Sequence, residues 1–158
     1  PPVAAPAATP VPVTVAFRIA GSNTIGAKLG PALLEGFFKK LGATDVVRKM
    51  TAPEESVVEG TLPGMPGRQV VQLAAHGSST SFSGLKDGTC EVGMSSRPVK
   101  PEEVEALSTL GDLLSPACEH VIGLDGLAVV VHRANPINQL TIEQVAKIFT
   151  GEITDWSE

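Results

Sequence analysis

Phe17-Arg18-Ile19-Ala20-Gly21-Ser22-Asn23-Thr24-Ile25-Gly26 decides how this chain is read: an apolar strand runs into small hydroxyl, amide and glycine residues and then into a helix. The first N–H groups of a helix have no carbonyl partner, so they carry partial positive charge toward whatever lies beyond the turn. An oxyanion is a natural occupant of such a position. Ser22, Asn23 and Thr24 add short donors, and Gly21 and Gly26 let the backbone approach a ligand closely. The competing reading is a plain N-cap by Ser22 or Asn23 with nothing bound.

Working outward, the same design recurs. Arg68 to Ala75 reads as a strand delivering the chain into His76-Gly77-Ser78-Ser79-Thr80-Ser81, a second glycine-hydroxyl turn that opens a helix closed by Gly88. Val92 and Met94 mark a short strand ending at Ser95-Ser96-Arg97-Pro98, followed by a helix start at Pro101-Glu102-Glu103 with acids near the positive dipole end and Val104 and Leu107 on its buried face. In an open α/β sheet all such junctions lie at the carboxyl ends of the strands, where ligands bind. Three coinciding junctions favour a small polar or anionic ligand over three independent caps.

The remaining pattern fits an α/β chain with a largely parallel sheet. Ile25, Leu29, Leu33, Phe37 and Leu41 recur every four residues and predict one apolar helix stripe, with Pro31 in the first turn after a bend and Gly42 as the stop. Asp45 to Met50 and Glu55 to Leu62 look extended, and Pro63-Gly64-Met65-Pro66-Gly67 predicts the turn of a hairpin into the next strand. Leu127 to Val131 reads as a strand buried on both faces, and Leu140 to Phe149 as a last helix capped by Thr141 and closed by Gly151. Residues 1–16, almost wholly Pro, Ala, Val and Thr, read as a linker preferring extended conformations. With no initiator Met and no basic-plus-apolar leader, the chain reads as a mature or excised piece.

Composition removes several classes of function. A net charge of −5 without a basic stripe argues against a nucleic-acid partner, while a small anion, bound by local donors, is still allowed. His76, His120 and His132 are scattered and there is no CxxC, so no metal is expected. Cys90 and Cys118 would most simply pair in an exported protein and stay reduced in a cytosolic one. His76 beside Gly77-Ser78-Ser79 invites a serine hydrolase, but the nucleophile-elbow pattern fails where Ser81 replaces its last glycine. No Gly-Lys-Ser/Thr occurs for Walker-type phosphate binding. The residues therefore read as a binding domain with neither catalysis nor cofactor.

Gly21-Ser-Asn-Thr-Ile-Gly26, His76-Gly-Ser-Ser-Thr80, Val92-Gly-Met-Ser-Ser-Arg-Pro98, Asp125-Gly-Leu-Ala-Val-Val-Val131 and Leu140 to Trp156 occur in an order that resembles the phosphate-binding periplasmic proteins of ABC transporters, of the type II periplasmic-binding-protein family. The resemblance covers nearly everything from Phe17 onward. It implies a two-lobed clamshell binding phosphate or a similar oxyanion between its lobes: residues 17–124 as the first lobe, 125–158 as the crossing strand and start of a second lobe that is incomplete here. Ser22, Thr24, Ile25, Ser78, Ser79, Ser96 and Arg97 would be ligand-binding. Ser96 stands where some members carry an acceptor aspartate. An arginine and a Ser-Gly-Thr turn found further along in the family would lie beyond residue 158.

The resemblance further implies a periplasmic or exported location, a Cys90–Cys118 bridge, and an ABC transporter permease or other envelope components as partners. The hairpin, the cysteines and the Pro/Ala linker look like a branch fused to OmpA-type envelope domains, where the alternative is a non-catalytic structural or interaction module. Open sheet edges in a partial lobe make strand exchange between copies a further expectation.

Overall fold

β-Branched residues from Val13 onward form the strand β1 (Val13–Gly21), which lies between two parallel neighbours. The computed structural model describes residues 11–126 and 128–156. Of the stretch read as linker, residues 1–10 lie outside the described residues, but Val13 to Ala16 are strand. The linker reading missed them because Val13-Thr14-Val15 can pair: Val13 stands opposite Arg68, and the Pro12 carbonyl accepts the Arg68 N–H at 2.8 Å.

The sheet continues through β2 (Thr44–Ala52), β3 (Glu55–Thr61), β4 (Arg68–Ala74) and β5 (Val92–Met94), in the spatial order β2-β3-β4-β1-β5. It is mixed rather than largely parallel. β4, β1 and β5 run parallel, whereas β2, β3 and β4 form an antiparallel meander. The links between the meander strands are too short for the crossover a parallel pair needs. The Pro-Gly turn at 63–67 thus makes the expected hairpin.

All three parallel strands end at one edge: Ala20 is opposite Ala74, and Gly21 opposite Met94. β5 is only three residues long, so tethers at both its ends matter. Before it, the Glu91 carboxylate accepts the Arg18 backbone N–H at 2.7 Å and also takes a salt bridge from the Arg18 guanidinium. After it, the Met94 carbonyl accepts the Ser22 N–H at 2.9 Å.

α1 (Asn23–Gly26) and α2 (Leu29–Lys40) follow β1, with Pro31 in the first turn of α2 as expected. The buried ridge of α2 differs from the one the spacing predicts. Gly30, Pro31, Leu34 and Phe38 face the sheet, while Leu29, Leu33, Phe37 and Leu41 are each close to half exposed. Small residues explain the rotation: a Cβ on Gly30 would sit 3.0 Å from Leu73 Cδ1, so α2 lies on its glycine-bearing ridge and the leucine ridge turns outward. Leu34 and Phe38 join Ile19, Val58, Val71, Leu73, Ala75 and Met94 in the core. Full burial of a side chain like Phe38 contributes about 1.5–3 kcal/mol.

α3 (Ser78–Asp87) packs on β1 and β5 and ends at Gly88, and α4 (Pro101–Ala106) leads into Leu107, which is fully buried. Cys90 is buried, with its thiol 3.8 Å from the Ser81 carbonyl. Cys118 is exposed, and both cysteines are free thiols, so the bridge implied by the family resemblance is not closed.

The chain divides into two units, Pro1–Gly123 and Leu124–Glu158. In the second, α5 (Ile142–Thr150) starts with a capping box: Thr141 Oγ1 accepts the Gln144 N–H at 3.1 Å and Gln144 Oε1 accepts the Thr141 N–H at 2.9 Å. Gly151, with φ 79°, closes it as expected. The predicted buried strand is a correction. Leu127 lies outside the described residues, and residues 128–131 form no strand, with Val129, Val130 and Val131 all exposed. A β-branched run becomes a strand only when a neighbour takes its hydrogen bonds, and among the described residues none does.

Candidate functional site

The carboxyl ends of β1, β4 and β5 place three turns side by side, joined by their backbones. The Gly77 N–H donates to the Gly21 carbonyl at 2.9 Å, linking the second turn to the first, and the Ser22–Met94 bond links the first to the third. Gly77 precedes α3 with φ 99°, a conformation that favours glycine, and no side chain caps this helix. The first ladder N–H of α3 belongs to Thr80, bonded to the Gly77 carbonyl at 3.0 Å, which leaves the Ser78 and Ser79 N–H groups at the open end.

Four of the residues named from sequence come together here. Ser78 Oγ accepts the Ser96 N–H at 3.2 Å and lies 3.3 Å from Ser96 Oγ. Arg97 Nη2 donates to Ser79 Oγ at 3.3 Å, and the guanidinium carbon lies 5.2 Å from the centroid of the Phe82 ring, a cation–π contact. Ser95 braces the third turn: its Oγ donates to the Arg97 carbonyl at 2.6 Å and accepts the Arg97 N–H at 3.2 Å.

The first turn contributes backbone more than side chains. Ser22 is 1% exposed, its N–H is spent on Met94, and its hydroxyl makes no cap bond. Ile25 turns its side chain onto the core, and Thr24 is exposed. The Gly26 N–H is the first to reach a carbonyl, that of Ser22 at 2.8 Å, so the Thr24 and Ile25 N–H groups stand ahead of the ladder. Asn23, read from sequence as a donor or as an N-cap, makes no cap bond and donates to the Ala75 carbonyl and, at 2.6 Å, to Glu54 Oε1.

Sequence reasoning missed Glu54, Phe82 as a partner of Arg97, and above all Glu103. Glu103 Oε1 and Oε2 accept from Arg97 Nη2 at 2.7 Å and Nη1 at 2.9 Å, and Oε2 also accepts the Lys100 N–H at 2.9 Å. The hydrogen bond from Arg97 is the main reason that the Glu103 carboxyl is held down to about 2. The Arg97 guanidinium is correspondingly raised by the same bond. The acids at 102 and 103 had looked like ordinary partners of a helix dipole, and only the folding-back of α4 reveals the pair.

The chemistry on offer is a set of hydroxyl and backbone donors beside an arginine whose charge is matched by a carboxylate. His76 does not reach Ser78: its Nε2 lies 3.5 Å from Glu55 Oε1, while Ser78 Oγ faces Ser96. Among the described residues no group of three or more His, Cys, Asp or Glu side chains could hold a metal ion.

Donor turns gathered at the carboxyl ends of parallel strands occupy the place where open α/β sheets bind ligands. A family model described as a PBP superfamily domain matches residues 13–158, and the chain belongs to that superfamily. It is 30% identical over 125 residues to the phosphate-binding protein PstS 2 of Streptococcus pneumoniae, covering 79% of this chain and 38% of that protein. The phosphate-binding protein PstS of Pseudomonas aeruginosa is 38% identical over 81 residues, 51% of this chain and 24% of the relative. Protein SphX of Synechococcus elongatus is 35% identical over 92 residues, 56% of this chain and 26% of the relative. The chain thus spans well under half the length of these relatives. No solved structure matches it significantly.

Proposed function

We propose that this chain supplies the first-lobe share of a site for inorganic phosphate or a similar tetrahedral oxyanion, in an exported protein of ABC-type phosphate uptake or sensing. Ser78, Ser79 and Ser96 donate through their hydroxyls, Thr24 and Ile25 through backbone N–H groups at the first turn, Ser22 holds that turn, and Arg97 supplies the local positive charge. The observation that carries this reading is the meeting of Ser78 with Ser96 and of Ser79 with Arg97 at the open end of α3. An array of dipolar donors suits an anion because each bond to it is charge-assisted, whatever the net charge of the chain. The names of the relatives support phosphate over other oxyanions.

Calorimetry with inorganic phosphate, using sulfate as competitor, tests the reading. The 158-residue chain is expected to bind at about millimolar Kd, because its donors stay open to water. The full-length parent is expected at about micromolar, a difference of about 4 kcal/mol. Absence of oxyanion binding by the full-length protein would remove the transport reading and leave the structural-module alternative.

A further inference from the structure

Resting on the oxyanion reading, we propose that Arg97 and Glu103 form a positioning pair that acts on the anion through Ser79, and that Arg97 does not itself grip the anion. Arg97 has four Nη hydrogens and four acceptors for them. Nη1 donates to Glu103 Oε2 and to the Pro98 carbonyl, both at 2.9 Å; Nη2 donates to Glu103 Oε1 at 2.7 Å and to Ser79 Oγ at 3.3 Å. Only Nε–H is uncommitted among the described residues, and a single donor cannot make the two-pronged contact through which arginine recognises oxyanions.

The pair is also held from behind. The guanidinium lies over Phe82, and Glu103 is pinned by the Lys100 N–H at 2.9 Å. The Glu103 side chain is 15% exposed and that of Arg97 28%. Pulling Arg97 away to clamp an anion would leave a poorly hydrated carboxylate without its partner, which is strongly unfavourable.

Ser79 is placed to relay the effect. It stands in the first turn of an uncapped helix, it is exposed, and its Oγ accepts from a cation while its own hydroxyl hydrogen has no acceptor among the described residues. A hydroxyl that accepts from a charged donor is polarised and becomes the stronger donor in turn. Arg97 thereby fixes the Ser79 rotor with its hydrogen turned outward, and Glu103 fixes Arg97. The anion meets neutral donors, with the ion pair one bond behind them.

A double-mutant cycle read by phosphate titration tests this, using Ser79→Ala, Arg97→Ala, the combination, Arg97→Lys and Glu103→Gln. Ser79→Ala is expected to weaken phosphate binding about tenfold. Arg97→Ala should cost a similar factor alone and less than about twofold more once Ser79 is alanine. Arg97→Lys keeps the charge but loses the fork, so it should fail to rescue. Glu103→Gln should weaken binding, because the fork loses its anchor. Tighter binding by Glu103→Gln, or equal and additive losses from Arg97→Ala in both backgrounds, would show a guanidinium that contacts the anion directly and would overturn the proposal while leaving phosphate binding intact. Absence of phosphate binding by the unmutated full-length protein would instead overturn the oxyanion reading, and this proposal with it.

Discussion

Gly21→Ala is expected to be among the most damaging single substitutions in the chain, lowering the free energy of unfolding by about 2–6 kcal/mol. Gly21 has φ 139°, where a side chain is strained, and a Cβ there would lie 2.0 Å from the Met94 carbonyl oxygen. The backbone strain accounts for about 1–3 kcal/mol, and forcing a methyl group into a packed position for another 1–3 kcal/mol. Met94 cannot yield cheaply, because the same carbonyl accepts the Ser22 N–H and holds the end of a three-residue strand. Urea unfolding would show the midpoint falling with little change in slope. A variant as stable as the parent sequence would mean that β1 and β5 do not meet as described.

Ser78→Ala is expected to have the largest effect on binding. Ser78 is the point where the second and third turns touch, its Oγ accepting the Ser96 N–H and facing Ser96 Oγ. In the proposed complex its hydroxyl donates to a charged ligand, a bond that contributes about 1.5–3 kcal/mol, or roughly 10- to 150-fold in phosphate affinity. Stability should change little, within about 1 kcal/mol, because the Ser96 N–H released by the substitution is open to water. Phosphate calorimetry paired with thermal melting separates the two effects. Unchanged affinity, or a loss of affinity that only follows a collapse in stability, would count against a direct contact.

The three junctions were legible because glycine, serine and threonine after an apolar strand leave few local structures open. The hairpin was legible because Pro63-Gly64-Met65-Pro66-Gly67 stops a strand and turns it back. The face of α2 was not, since two adjacent ridges share the four-residue spacing. Glycines at 26 and 30 do not register as apolar, yet they let the ridge of Leu34 and Phe38 come closest to the sheet. The strand expected around Val129 failed for another reason: β propensity describes a preference for a paired surface, and pairing is a property of the neighbours.

Within the site, sequence supplied the donors and missed their supports. Ser78, Ser79, Ser96 and Arg97 were named through the family resemblance of their turns and meet as a group. Glu103 lies six residues beyond Arg97, a separation that belongs to no regular period, so the pairing exists only because the chain doubles back through Pro98 and Pro101. The Asn23–Glu54 contact likewise depends on the β2–β3 turn arriving beside the end of β4, where Glu55 stands opposite Ala74.

The claim on which the rest depends is that these three turns make one anion site. It is tested most directly by amide chemical-shift changes during a titration with inorganic phosphate. The expected result is a set of shifts centred on Thr24, Ile25, Ser78, Ser79 and Ser96 that saturate together with one dissociation constant. Shifts elsewhere with these amides unmoved, or separate saturation of the three turns, would contradict it.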